Sequence, residues 1–114
     1  MTGIVFFTTN ELETLRTFYT ERIGANIAVD QGDCLIFEKN DFNFAFCTRD
    51  GEPEVCGVLT FLFEDTEGVD NIYEQVSDIA ESKPTDRSPD YNIYQFYAED
   101  PEGRTLEFQT FLEE

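Results

Sequence analysis

Apolar and polar positions follow two alternating rhythms along the chain, and the pair of rhythms occurs twice. Residues 3–9 form a β-rich run centred on Ile4, Val5, Phe6 and Phe7. From Leu12 the period lengthens. Leu12, Leu15, Phe18, Tyr19 and Ile23 form one apolar stripe at helical spacing. Asn10 is expected as the N-cap of that helix, Glu13 as its capping-box partner and Gly24 as its stop. Short strands are predicted near 26–29, 34–38 and 43–48. The polar turns Asp30-Gln31-Gly32 and Lys39-Asn40-Asp41 join them as antiparallel hairpins. The loop from Arg49 to Glu54 reads as a boundary.

The pattern then restarts. Residues 57–64 are β-rich, Asp65-Thr66-Glu67 opens a second helix, and Val69, Ile72, Tyr73, Val76 and Ala80 form its stripe. The stretch 83–89 is irregular, with room for a short edge strand. Strands follow at 93–98 and 105–112, joined by the turn Asp100-Pro101-Glu102-Gly103. The order is β-α-β-β-β, twice. The expected fold class is α+β: one domain over 1–114, built from modules 1–50 and 55–114, each a curved mixed sheet with its helix outside. In one register Ile4 superposes on Val58, Phe7 on Phe61, Glu11 on Asp65, Phe18 on Ile72 and Tyr19 on Tyr73. After an insertion, Leu35 and Phe37 match Tyr94 and Phe96, and Phe44-Ala45-Phe46 matches Leu106-Glu107-Phe108.

Period-two alternation also sorts the strands into faces. Val5, Phe7, Leu35, Phe37, Phe44, Phe46, Leu59, Phe61, Phe63, Tyr94, Phe96, Leu106 and Phe108 fall on the face under the helices. Ile4, Phe6, Thr8, Ile36, Ala45, Cys47, Val58, Thr60, Leu62, Gln95, Tyr97, Glu107 and Gln109 fall on the other. That second face is mostly apolar, with a few hydroxyls, amides and one carboxylate, the makeup of a small-molecule pocket. Phe6, Thr60, Gln95, Tyr97, Glu107 and Gln109 are therefore the candidate ligand-binding residues. Glu107 is the one candidate for acid–base or metal chemistry. Arg104 is expected in a salt bridge within its own turn, and Tyr19 and Tyr73 in helix packing.

Composition narrows the chemistry. No His is present, which removes the commonest general base, the His-dependent nucleophile systems and the commonest transition-metal ligand. The chain carries 25 acidic and 7 basic residues, a net charge of -18, so nucleic acid is excluded as a partner. The acids are spread along the chain, which predicts adaptation to high salt; the rival explanation is a cationic ligand. No signal-peptide pattern or long apolar run appears, so no membrane partner is expected. Cys34, Cys47 and Cys56 are odd in number and form no Cys-x-x-Cys pair. They read as reduced thiols in a cytoplasmic protein, packed as small hydrophobes.

Three stretches carry a family resemblance. These are Glu11-Leu12-Glu13-Thr14-Leu15-Arg16-Thr17-Phe18-Tyr19 with Ile23-Gly24, then Leu59-Thr60-Phe61-Leu62-Phe63-Glu64-Asp65, and last Glu99-Asp100-Pro101-Glu102-Gly103-Arg104-Thr105-Leu106-Glu107-Phe108. In this order and spacing the chain resembles the vicinal oxygen chelate superfamily, which includes glyoxalase I, extradiol dioxygenases and bleomycin resistance proteins. In metal-using members each module supplies one ligand from its first strand and one from its last. The matching positions here are Ile4, Ala45, Val58 and Glu107, of which only Glu107 can bind a metal. The resemblance thus implies a metal-free binding protein of the bleomycin-resistance type. No cofactor is expected, and the ligand is hydrophobic or cationic. A homodimer is expected to cover the apolar surface. The alternative is a lyase or dioxygenase with a divalent metal centred on Glu107. The residues do not decide whether a reaction is catalysed.

Overall fold

The computed structural model describes residues 2–112. Strand β1 (Val5–Thr9) leads into helix α1 (Leu12–Thr17), which widens into a π-helical turn, Phe18–Arg22. Strands β2 (Asn26–Asp30), β3 (Cys34–Lys39) and β4 (Phe42–Thr48) complete the first module. After the loop 49–57 come β5 (Val58–Leu62), α2 (Thr66–Val76), the two-residue edge strand β6 (Thr85–Asp86), β7 (Ile93–Glu99) and β8 (Thr105–Phe111). Each module makes a four-stranded mixed sheet, in the orders β1-β4-β3-β2 and β5-β8-β7-β6. The first strand of each module pairs parallel with the last, and the others pair antiparallel. The architecture is the expected α+β fold, with the βαβββ order repeated.

The first helix starts differently from the expected capping box. Glu11 stands at the N-cap without a side-chain cap, and Asn10 turns its amide to the Gly51 carbonyl. Two N–H groups at this entry find other acceptors, one local and one distant. Glu11 N–H donates to Thr9 Oγ1, and Asn10 N–H donates to Glu102 Oε2, a carboxylate from the second module. The positive end of the helix thus receives, beside its own Glu13, a negative charge from 92 residues away. At the other end the chain turns at Gly24, whose φ of +81° suits a residue without a Cβ, and Ala25 N–H closes on the Tyr19 carbonyl. The second helix follows expectation at its start: Asp65 accepts from Gly68 N–H at 2.9 Å. It ends at Val76, so Ala80 lies beyond it and bridges to Ala98.

The β3–β4 hairpin turns in two residues, Asn40 and Asp41, both at positive φ (51° and 67°). Such a turn matches the right-handed twist of the strands and fixes their register. Lys39 therefore faces Phe42, Leu35 faces Phe46, and Cys34 faces Cys47.

Both modules share one core. Leu35, Phe37, Phe44 and Phe46 from the first sheet meet Leu59, Phe61, Phe96, Leu106 and Phe108 from the second, with Leu15, Tyr19, Val69, Ile72 and Val76 from the helices. Phe44 crosses the junction to Phe61 at 5.5 Å between ring centroids. The expected helix-side face is therefore the core, except that Val5 remains 38% exposed at the start of an edge strand. The π-helical turn lets neighbours Phe18 and Tyr19 both point inward, their rings edge-to-face at 5.0 Å.

Pairing also corrects the internal alignment. Phe6 pairs with Ala45 and Thr60 with Glu107, as the repeat requires. On the next strand, however, Leu35 faces Phe46 while Phe96 faces Phe108. The equivalent of Leu35 is thus Phe96, not Tyr94, and that of Phe37 is Ala98. A slip of two residues keeps every side chain on its face, so alternation could not expose it.

Candidate functional site

The three strands β5, β8 and β7 bring Thr60, Glu107 and Tyr97 side by side, since Thr60 and Tyr97 are the register partners of Glu107. Gln95 and Gln109 face one another one step further along the same face. Glu107 is 8% exposed and Gln95 4%. The carboxylate is held at both oxygens: Thr60 Oγ1 donates to Oε1 at 2.8 Å, and Gln95 Nε2 donates to Oε2 at 2.9 Å. Both donors are neutral, and among the described residues Glu107 forms no ion pair. The result is a fixed, nearly buried carboxylate whose remaining lone pairs can accept from a ligand's N–H or O–H, or face a cation.

The six expected ligand residues are divided between the two sheets. Thr60, Gln95, Tyr97, Glu107 and Gln109 are gathered on the second sheet. Phe6 lies on the first sheet and is 53% exposed. Val58 and Leu62 of β5 and, at the end of β8, Phe111 are likewise exposed on the second sheet. Hollows also lie elsewhere. One of about 550 Å³ sits against α1, lined by Thr14, Thr17, Phe18 and Pro101. Another of about 470 Å³ is lined by Asn26, Glu38, Asp41 and Asn43.

The donor set does not fit the metal that the resemblance allows. Ile4, Ala45 and Val58 offer no donor atom, and both oxygens of Glu107 already accept hydrogen bonds. Among the described residues no three His, Cys, Asp or Glu side chains converge as a divalent ion would need.

In the first module the equivalent positions carry different chemistry. Ala45 stands where Glu107 stands, and Ile36 where Tyr97 stands. Cys34 and Cys47 occupy the places of Gln95 and Gln109, and they form a disulfide. This corrects the expectation of reduced thiols: only Cys56 is free, and it is exposed. The signal was in the turn. A two-residue loop at Asn40-Asp41 places residue 34 opposite residue 47, and an opposed pair on one face lies within disulfide reach.

The Asp100–Arg104 turn contains the most extensive polar network, and it is structural. Asp100 Oδ1 accepts from the N–H groups of Glu102 and Arg104 at 2.9 and 3.0 Å. Its Oδ2 accepts from Tyr19 O–H at 2.7 Å and Arg104 Nη1 at 3.2 Å. Arg104 is 1% exposed. It pairs with Glu102 at 2.8 Å, donates to the Thr8 carbonyl at 2.7 Å, and lies 4.8 Å from the Phe46 ring centroid. The expected salt bridge within the turn exists, but the guanidinium also reaches the first module. Burial and the Asp100 carboxylate push the Tyr19 hydroxyl well above the usual phenol range. Burial alone would raise Glu102. The Thr9 hydroxyl, Arg104 and the Asn10 N–H overcome it and hold that carboxyl below its usual range.

No family model and no curated protein matches the sequence. Solved structures do match in shape. A glyoxalase/bleomycin resistance protein/dioxygenase from Nocardioides superposes with a TM-score of 0.75 at 21% identity, over 99% of this chain and 84% of the other. One of the same description from Alicyclobacillus acidocaldarius gives 0.79 at 18% identity, over 97% and 91%. Lactoylglutathione lyase from Agrobacterium tumefaciens gives 0.74 at 16% identity, over 96% and 92%. At these identities the likeness is one of fold. The repeated βαβββ modules and their pairing agree with it, and the chain has the vicinal oxygen chelate fold of the glyoxalase/bleomycin resistance/dioxygenase proteins.

Proposed function

We propose that this chain is a small-molecule-binding protein of the glyoxalase/bleomycin-resistance type. Its site works without a metal and recognises a hydrophobic compound bearing a cationic or hydrogen-bond-donating group. The observation that carries this reading is the Thr60–Glu107–Gln95 cluster. It holds a carboxylate in place with neutral donors, while the other three positions of the family's ligand set are apolar. Among the described residues no cluster of three His, Cys, Asp or Glu side chains forms around a carboxylate so held, and it suits an ammonium or amine. The net charge of -18 adds a field that attracts cations.

The exposure of Phe6 on β1 and of Val58, Leu62 and Phe111 on the second sheet supports assembly as a homodimer, since water-facing aromatic and aliphatic groups favour a partner surface. The binding test is a thermal-shift screen of hydrophobic amines and phenols against wild type and Glu107→Gln. An amine that raises Tm for wild type and not for the variant supports the reading; an amine that raises both equally sinks the role of Glu107. Metal analysis of the purified protein, run beside the screen, covers the rival lyase or dioxygenase. A stoichiometric divalent ion that Glu107→Gln releases would replace the metal-free reading.

A further inference from the structure

We propose that the Cys34–Cys47 disulfide is a thiol-exchange site in the folded protein, one that sets the stiffness of the first sheet's outer face, the counterpart in the repeat of the face that carries Glu107. Four observations meet here. The two residues are the first of β3 and the last but one of β4, so the bond closes the open end of a hairpin and not its interior. Beyond it one backbone bond continues the closure, Thr48 N–H to the Asp33 carbonyl; the Gln31 N–H to Cys34 carbonyl bond belongs to the β2–β3 turn. Both cysteines are on the face away from the helices, and each keeps a small exposure (8% and 7%). By the repeat, they replace the Gln95–Gln109 pair that neighbours Glu107. The same place is therefore held by adjustable amides in one half of the molecule and by a covalent link in the other.

Exchange needs a co-reactant, which we take to be an uncharged dithiol. Asp33 beside Cys34 and the net charge of -18 disfavour approach by an anionic thiol. One thiolate of the dithiol attacks a sulfur of the bridge. A mixed disulfide forms, the Cys34–Cys47 bond breaks, and the displaced cysteine thiolate takes up a proton. The second thiol of the reagent then attacks the mixed disulfide, releasing the other cysteine. Two electrons pass to the protein, and the dithiol leaves as a cyclic disulfide. Reduction removes the covalent cross-link between β3 and β4, while pairing of β4 with β1, pairing of β3 with β2 and the two-residue turn at Asn40-Asp41 keep the hairpin in register. A loosened, not an unfolded, first module results.

The effect on ligand rests on the binding function proposed above; the exchange itself does not. The experiment is a count of reactive thiols on folded protein incubated with dithiothreitol, quenched and alkylated, with circular dichroism recorded in parallel. The count should rise from one per chain, Cys56, to three, with the helix and sheet signal retained. Hydrogen exchange should quicken in 31–36 and 45–48 and remain unchanged in β7 and β8. A count that stays at one until denaturant is added overturns the proposal. Cys34→Ser/Cys47→Ser should have the lowered Tm of the reduced wild type and ignore dithiothreitol; a further drop with reductant would also overturn it. Running the amine screen on oxidised and reduced protein separates the two readings. No shift in either form counts against the ligand, while equal shifts in both count against control by the disulfide.

Discussion

Replacing Arg104 by Met probes the junction of the two modules. The guanidinium sits between two carboxylates, with side-chain exposures of 2% for Arg104, 0% for Asp100 and 5% for Glu102. Removing it leaves two buried negative charges facing each other, and breaking a buried ion pair in this way costs about 3–5 kcal/mol. Asp100 keeps Tyr19 and two backbone N–H groups, and Glu102 keeps Thr9 and the Asn10 N–H. That residual bonding places the expected loss at the lower end, about 3 kcal/mol. For a chain of this length it corresponds to a fall in Tm of roughly 12 °C. Urea denaturation followed by circular dichroism measures it directly. Glu102→Gln alone should cost about 1–2 kcal/mol, since the pair it leaves, Arg104 with Asp100, is still balanced. Combined with Arg104→Met it should cost at least about 1 kcal/mol less than the sum, because the second change removes a charge that the first stranded. A single variant within about 0.5 kcal/mol of wild type, or strictly additive losses, would refute the idea that this network is coupled.

The remaining predictions follow from the same geometry. Glu102 titrates below its unfolded value of about 4.3, so its stabilisation is complete above that pH and fades as pH falls through the lower folded value. Acid unfolding of Glu102→Gln should therefore be shallower than that of wild type between pH 5 and about 2. Tyr94 donates to Asp70 at 2.6 Å, and that bond lifts the phenol to about 12. Its contribution is complete below about pH 10 and is lost as pH rises toward the folded value; ultraviolet phenolate titration of wild type against Tyr94→Phe should show one tyrosine missing from the high-pH end. Raising KCl should raise Tm, because unpaired surface carboxylates repel one another and salt screens them; a flat curve would end the salt-adaptation hypothesis. Asp65→Ala should cost about 1 kcal/mol in chemical denaturation through loss of the α2 cap.

Much of the fold could be read from local pattern because the relevant forces are local. The stripe at Leu12, Leu15, Phe18 and Tyr19 and the alternation through Phe44 and Phe46 depend on near neighbours, and both proved to be core. The Asp65 cap lies three residues from its donor and was legible for the same reason. The α1 start was not, because Glu102 competes for the groups that a capping box would take, from the far end of the chain. The two-residue slip between Leu35 and Phe96 was invisible to alternation and appears only in strand pairing. The Thr60–Glu107–Gln95 grouping followed from face assignment. The bonding that fixes Glu107 depends on register across three strands, and the sequence does not state it.

The Arg104 network has a bearing on topology. Its partners, Thr8, Thr9 and Tyr19 on one side and Asp100, Glu102 and Arg104 on the other, belong to different modules. Chemically the second module's turn would fit the first module of any copy equally well. Preference for its own chain comes from the tether, the loop 49–57, which sets the effective concentration of one half around the other. A deletion of Asp50 to Glu52 that prevents the halves from folding back should redirect the same contacts between two chains. Differently tagged copies of that variant would then stay entangled below their melting temperature, where side-by-side dimers exchange. The connector is in this sense a selector between folding alone and trading halves.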